Sequence, residues 1–125
     1  MMILAILAAA QTLPPGETCA DAKDQSTMTR CAWEDFRRAD AELNREWPKA
    51  LAQSRAMDGD NPMPDVPTYT AVLVRAQNAW IAHRDAECAV AGQEMRGGSG
   101  EPMLVGHCRA RMTRERIAYL KGVNR

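Results

Sequence analysis

Apolar residues recur every three or four positions in three stretches of this chain, separated by breaks rich in glycine and proline. That is the pattern of amphipathic helices. In the first stretch Met28, Ala32, Phe36, Ala39, Leu43, Trp47 and Leu51 form a stripe, while Glu34, Arg37, Arg38, Glu42, Arg45 and Lys49 take the opposite face. Glu34 and Arg38 stand in the favoured i,i+4 order. Ser26 or Thr27 is placed to cap this helix, and Pro48, lacking a backbone donor, predicts a kink or the end of its regular part. Residues 56–67 hold Asp58-Gly59-Asp60-Asn61-Pro62 and read as a rigid loop. A second helix is predicted over 68–91, with Val72, Leu73, Ala76, Trp80, Ile81 and Cys88 on or beside one face. After a break at 92–102, a third is predicted over 103–121 with Leu104, Cys108, Met112, Tyr119 and Leu120 as its stripe. No segment alternates apolar and polar residues long enough to argue for a strand. The expectation is all-α, an antiparallel three-helix bundle, because short connections set successive helices side by side.

A chain of 125 residues makes one domain. Its 16 basic and 16 acidic residues cancel, so overall charge gives no support to a nucleic-acid partner. The distribution is uneven: residues 107–125 hold six basic side chains against the single acid Glu115. The plainer reading is a solvated basic face on the last helix, favoured near a helix C-terminus. A docking surface for an anionic partner is the lesser one.

The opening MMILAILAAAQ has an apolar run followed by Ala8-Ala9-Ala10, which reads as a signal peptide over residues 1–10. Residues 11–25 then form an N-terminal leader and 26–125 the helical domain. The run is too short to span a bilayer, which needs about 20 residues. Glu17 stands before Cys19 where a lipid-attachment signal needs small residues, so a periplasmic or secreted protein is expected, not a membrane-embedded one. Four cysteines in a small exported domain imply two disulfides. Three pairings are open. Cys19–Cys31 with Cys88–Cys108 is the most economical, but the layout gathers all four cysteines at one end, so Cys31–Cys88 remains possible. Zinc is disfavoured because neither His83 nor His107 has a close cysteine pair. The scattered methionines suit packing better than copper, and no cofactor is expected.

Several segments together resemble the LprI-type lysozyme-inhibitor family of exported bacterial domains. They are Cys19; Met28-Thr29-Arg30-Cys31-Ala32; Asp40-Ala41-Glu42-Leu43-Asn44; Ala76-Gln77-Asn78-Ala79-Trp80-Ile81; Arg84-Asp85-Ala86-Glu87-Cys88; Gly97-Gly98-Ser99; Cys108; and Thr113 with Arg116 and Leu120. No single piece is specific, yet they cover nearly all of the mature chain in order. The resemblance implies a protein partner, with lysozyme or another peptidoglycan hydrolase as its specific form. The competing reading is a cell-envelope structural or interaction protein with no hydrolase target. The chain departs from the family's pattern at Trp47-Pro48, where an aromatic residue usually stands without the proline.

Asp40, Asn44, Gln77, Arg84 and Asp85 are the polar residues of these segments that the resemblance marks as recurring in the family's motif. Antiparallel packing predicts an Asp40–Arg84 pair with Asn44 and Gln77 hydrogen-bonded nearby, a network that fixes helix register at some cost in desolvation. A binding face is the alternative. Trp33, Trp47, Trp80 and Phe36 are expected in packing rather than ligand stacking. His83 and His107 accompany no recognisable nucleophile, and a slender bundle offers no cleft for a carboxylate pair, so no catalytic residues are expected. The sharper site is the segment Arg96, Gly97, Gly98 and Ser99, whose glycines permit tight turns and close approach. Its plain role is to connect two helices. Its functional one is to enter a partner's cleft, with Arg96 or Ser99 meeting catalytic carboxylates.

Overall fold

A computed structural model describes residues 19–60 and 63–123. The signal peptide expected at 1–10, and the leader as far as residue 18, lie outside the described residues. Three helices follow in order: α1 (Gln25–Asp58), α2 (Tyr69–Gly92) and α3 (Glu101–Val123), with a single 3₁₀ turn, Gln93–Met95, between the last two. α2 runs antiparallel to its neighbours, so α1 and α3 point the same way.

α1 starts from Asp24, not from Ser26 or Thr27. The Asp24 carboxylate accepts the Thr27 backbone N–H at 3.0 Å and the hydroxyls of Ser26 and Thr27 at 2.7 and 3.0 Å. The residues expected to cap therefore donate to the cap. An aspartate there also answers the positive end of the helix dipole. Nor does α1 end at Pro48; it runs on to Asp58. Pro48 and Asn44 are exposed, so solvent can meet the carbonyl that loses its partner. At the far end Thr68 caps α2, its hydroxyl accepting the Ala71 N–H at 3.1 Å, and Asp58 of α1 satisfies two more of that helix's first N–H groups. Its carboxylate accepts the N–H groups of Tyr69 and Thr70 at 2.7 and 3.0 Å and the Thr70 hydroxyl at 2.6 Å.

One apolar cluster joins Leu43, Ala50, Leu73, Ile117 and Leu120, and a second surrounds Cys88, Cys108 and Met112; Trp80 packs against both. Gly106 lets α3 close on α1, since a Cβ there would stand 3.1 Å from the Trp33 ring. The inward face of α2 is Leu73, Gln77, Arg84, Cys88 and Gly92, which rotates the expected stripe. Val72 and Ile81 are 43% and 39% exposed. Tyr119, expected inside, is also exposed, and Ile117 takes the core position on α3.

Ion pairs tie α3 to α1. Arg114 grips Asp35 with two hydrogen bonds of 2.9 and 2.6 Å, and Lys121 lies 3.6 Å from Glu42. The hydrogen bonds from Arg114 hold the Asp35 carboxyl below its ordinary value. Two basic residues of α3, Arg114 and Lys121, thus clamp acids of α1 while staying partly solvated, and Arg111 remains exposed and pairs with Glu115 on its own helix. On α1 itself Arg38 pairs with Asp35 at 3.5 Å, and Glu34 faces Arg30 at 4.0 Å instead of Arg38.

The disulfides are Cys19–Cys31 and Cys88–Cys108, which excludes Cys31–Cys88. Each closes a short loop, worth about 3 kcal/mol on the chain-entropy account.

Candidate functional site

Arginines and aromatic rings alternate through the interior. The Arg84 guanidinium sits 5.0 Å from the Phe36 ring centroid and 5.2 Å from that of Trp80. Its Nε donates to Asp85 at 3.0 Å and one terminal nitrogen to the Thr113 hydroxyl at 3.3 Å; the same nitrogen is 3.9 Å from Asp40. On one side Arg109 lies over Trp33 and Phe36, its Nε 3.6 Å from Asp85. On the other, Arg116 lies over Trp80 and Tyr119 and donates to the Gln77 side-chain carbonyl at 2.8 Å. Burial pulls the Arg116 guanidinium below its usual value, though a guanidinium stays charged. Such contacts contribute about 2 kcal/mol where water is excluded, as around Arg84, and about 0.5–1 kcal/mol where the ring is exposed, as at Tyr119.

Of the five polar residues singled out in the sequence, Asp40, Arg84 and Asp85 come together. Gln77 turns to Arg116 instead, and Asn44 is exposed, its side-chain amide hydrogen-bonded to no described residue. The sequence reading left Arg109, Thr113 and Arg116 out of the network. Thr113 and Arg116 stand among the segments that carry the family resemblance; for Arg109 the signal is the spacing of four and three along the inward side of α3.

Two surfaces stand out beside this interior. The first is a groove of about 380 Å³ lined by α1 and α2 alone. Leu43, Trp47, Leu51, Val74 and Ile81 form its apolar part; Asp40, Asn44, Gln77, Asn78 and Arg84 supply the polar groups.

The second is the corner between α2 and α3. The Arg96 N–H donates to the Gln93 carbonyl at 3.1 Å, and the Gly98 N–H to that of Met95 at 2.9 Å. Gly97 turns the chain at φ +75°, a left-handed conformation that suits glycine, and its N–H donates to the Glu101 carboxylate at 2.8 Å. Gly100 is buried against the Met95 thioether, and a side chain there would have to displace it. The result is a tight knob rather than a long loop. Arg96, Gly97, Gly98 and Ser99 are all exposed, and Arg96 has no ion pair among the described residues. The Cys88–Cys108 bridge ties the two helices behind it.

A family model described as "Lysozyme inhibitor LprI" matches residues 18–120. The chain belongs to the LprI family. This LprI protein is also 42% identical over 124 residues to an uncharacterized protein of Rhizobium meliloti (strain 1021), an alignment covering 96% of this chain and 88% of that one. No solved structure matches it significantly.

Two disulfides and LprI membership are the marks of an extracytoplasmic protein. Among the described residues no helix is long and apolar enough to cross a membrane. The sulfurs of Cys19 and Cys31 and a Glu34 carboxylate oxygen lie within 4.8 Å of one another, but both sulfurs are committed to their bridge. His83 and His107 are exposed on α2 and α3. The family's description names an inhibitor, and the arrangement of rings and cations supplies packing and surface chemistry.

Proposed function

We propose that the chain is an exported binding protein that inhibits lysozyme, or a related peptidoglycan hydrolase, by occluding its cleft with the corner at Arg96, Gly97, Gly98 and Ser99. The observation that carries this reading is the family match across residues 18–120. The geometry supports it in three ways. The corner is exposed, its backbone is fixed by four internal hydrogen bonds, and Arg96 is free to pair with a partner's carboxylate. A segment already ordered loses less entropy on binding. Animal lysozymes are basic, and residues 56–106 carry an acidic excess that favours their approach.

A lysis assay with oxidised protein tests the reading. Protection of bacterial walls from lysozyme is expected at micromolar inhibitor. Arg96→Ala with Ser99→Ala should weaken protection roughly thirtyfold, the effect of losing about 2 kcal/mol at a hot spot, with the melting temperature unchanged. No protection at micromolar excess would favour the envelope interaction protein without a hydrolase target.

A further inference from the structure

The α1–α2 groove meets the buried arginine ladder at Asp40, Gln77 and Arg84, lies apart from the corner at 96–99, and has a lining of its own in Asn44, Asn78 and the apolar residues. Asn44 and Asn78 line it from opposite helices, both exposed and neither with its side-chain amide hydrogen-bonded to a described residue. Leu43, Trp47 and Ile81 share the lining with them. At one end the charge of Arg84 is already answered by Asp85 and Asp40, so the groove has little to offer an ion.

We infer that this groove binds a neutral oligosaccharide built of N-acetylhexosamine units. A side-chain amide carries both a donor and an acceptor, the pair that an acetamido group or two adjacent hydroxyls require. The tryptophan and aliphatic walls receive the C–H faces of sugar rings and the acetamido methyl groups. The volume, about 380 Å³, falls within the range of small-molecule sites. From Asp40 to Leu51 the α1 wall extends about 16 Å, room for more than one ring. An amphipathic partner helix fits less well. Its apolar side chains would press on Asn44 and Asn78 and leave buried amides unpaired, at about 1–3 kcal/mol each.

This site goes beyond the proposed inhibition and does not rest on it: the corner begins about two helical turns further along α2. Titrating the N-acetylglucosamine trimer into the oxidised full chain, followed by tryptophan fluorescence and backbone amide NMR shifts, tests it. Saturable binding at about 1 mM or tighter is expected, with shifts clustered at 40–51 and 74–84. Maltotriose, which lacks acetamido groups, should bind at least about tenfold more weakly. Asn44→Ala with Asn78→Ala should cost about tenfold or more in affinity, with the melting temperature unchanged because neither side chain has a partner to lose. The proposal is overturned by the absence of shifts at about ten times that concentration, by equal binding of maltotriose, or by undiminished binding in the double variant. Shifts that instead track protein concentration, with sedimentation as a dimer, would assign the groove to a second copy and overturn it as well. Lost sugar binding with lysozyme protection retained would strike this inference alone. Lost protection with sugar binding retained would strike only the inhibitor reading.

Discussion

The Arg84 guanidinium is held inside the bundle by neighbours on all three helices: Phe36 and Asp40 from α1, Trp80 and Asp85 from α2, and Thr113 from α3. A buried ion pair adds little against a well-packed apolar replacement, but removing one partner strands the others. Arg84→Ala is therefore expected to destabilise by about 3 kcal/mol in urea unfolding, through lost packing between two rings and an unpaired Thr113. Arg84→Lys should recover less than half of that, since an ammonium neither stacks flat on a ring nor forks between two acceptors. A change below about 0.5 kcal/mol in the alanine variant, the ordinary range for surface substitutions, would show that the ladder has no structural weight.

Acids outside α1 and α2 accept N–H groups from the first turns of these helices. Asp24 and Asp58 both have carboxyls held below the ordinary value of 3.8. For Asp24 the leading cause is the Ser26 hydroxyl, and for Asp58 the Thr70 hydroxyl. A carboxyl depressed in the folded state adds stability above its unfolded value, and that stability is lost as pH falls through the lower, folded value. The melting temperature should accordingly begin to drop below about pH 4 and fall further with acid. Asp58→Asn, which keeps an acceptor but does not titrate, should flatten that slope; an unchanged slope would remove Asp58 from the account. The three helices themselves were legible, because the spacing of Ala32, Ala39, Leu43 and Trp47 admits little else. The phase of α2 was not. Gln77 and Arg84 point inward because α3 supplies partners for them, and Val72 and Ile81 are left outside. Such partners are invisible along a single helix. The interior roles of Arg109 and Arg116 were hidden for the same reason, since an arginine reads as surface until rings from elsewhere cover it. The cap at Asp24 was hidden by two adjacent hydroxyl residues that fit the same role.

Across the whole molecule, α3 is held to α1 by charge at Arg114 and Lys121 and to α2 by sulfur at Cys108, and the sulfur bridge is the attachment nearer the corner that follows α2. The local disulfides could be preferred from the sequence but not chosen, because the bundle brings all four cysteines to one end. The position of the corner was legible from Gly97-Gly98-Ser99; its compactness was not, since that depends on Glu101 reaching back to Gly97 and on Met95 covering Gly100. Replacing Cys88 and Cys108 together by alanine should lower stability by about 2–5 kcal/mol and weaken any partner that needs the corner held in place. The most direct test is a calorimetric titration of lysozyme with the oxidised chain, run beside the Arg96→Ala, Ser99→Ala variant. A one-to-one complex at micromolar concentration, weakened roughly thirtyfold in the variant, is the predicted result. No heat of binding, or a variant that binds as tightly as the original, would contradict it.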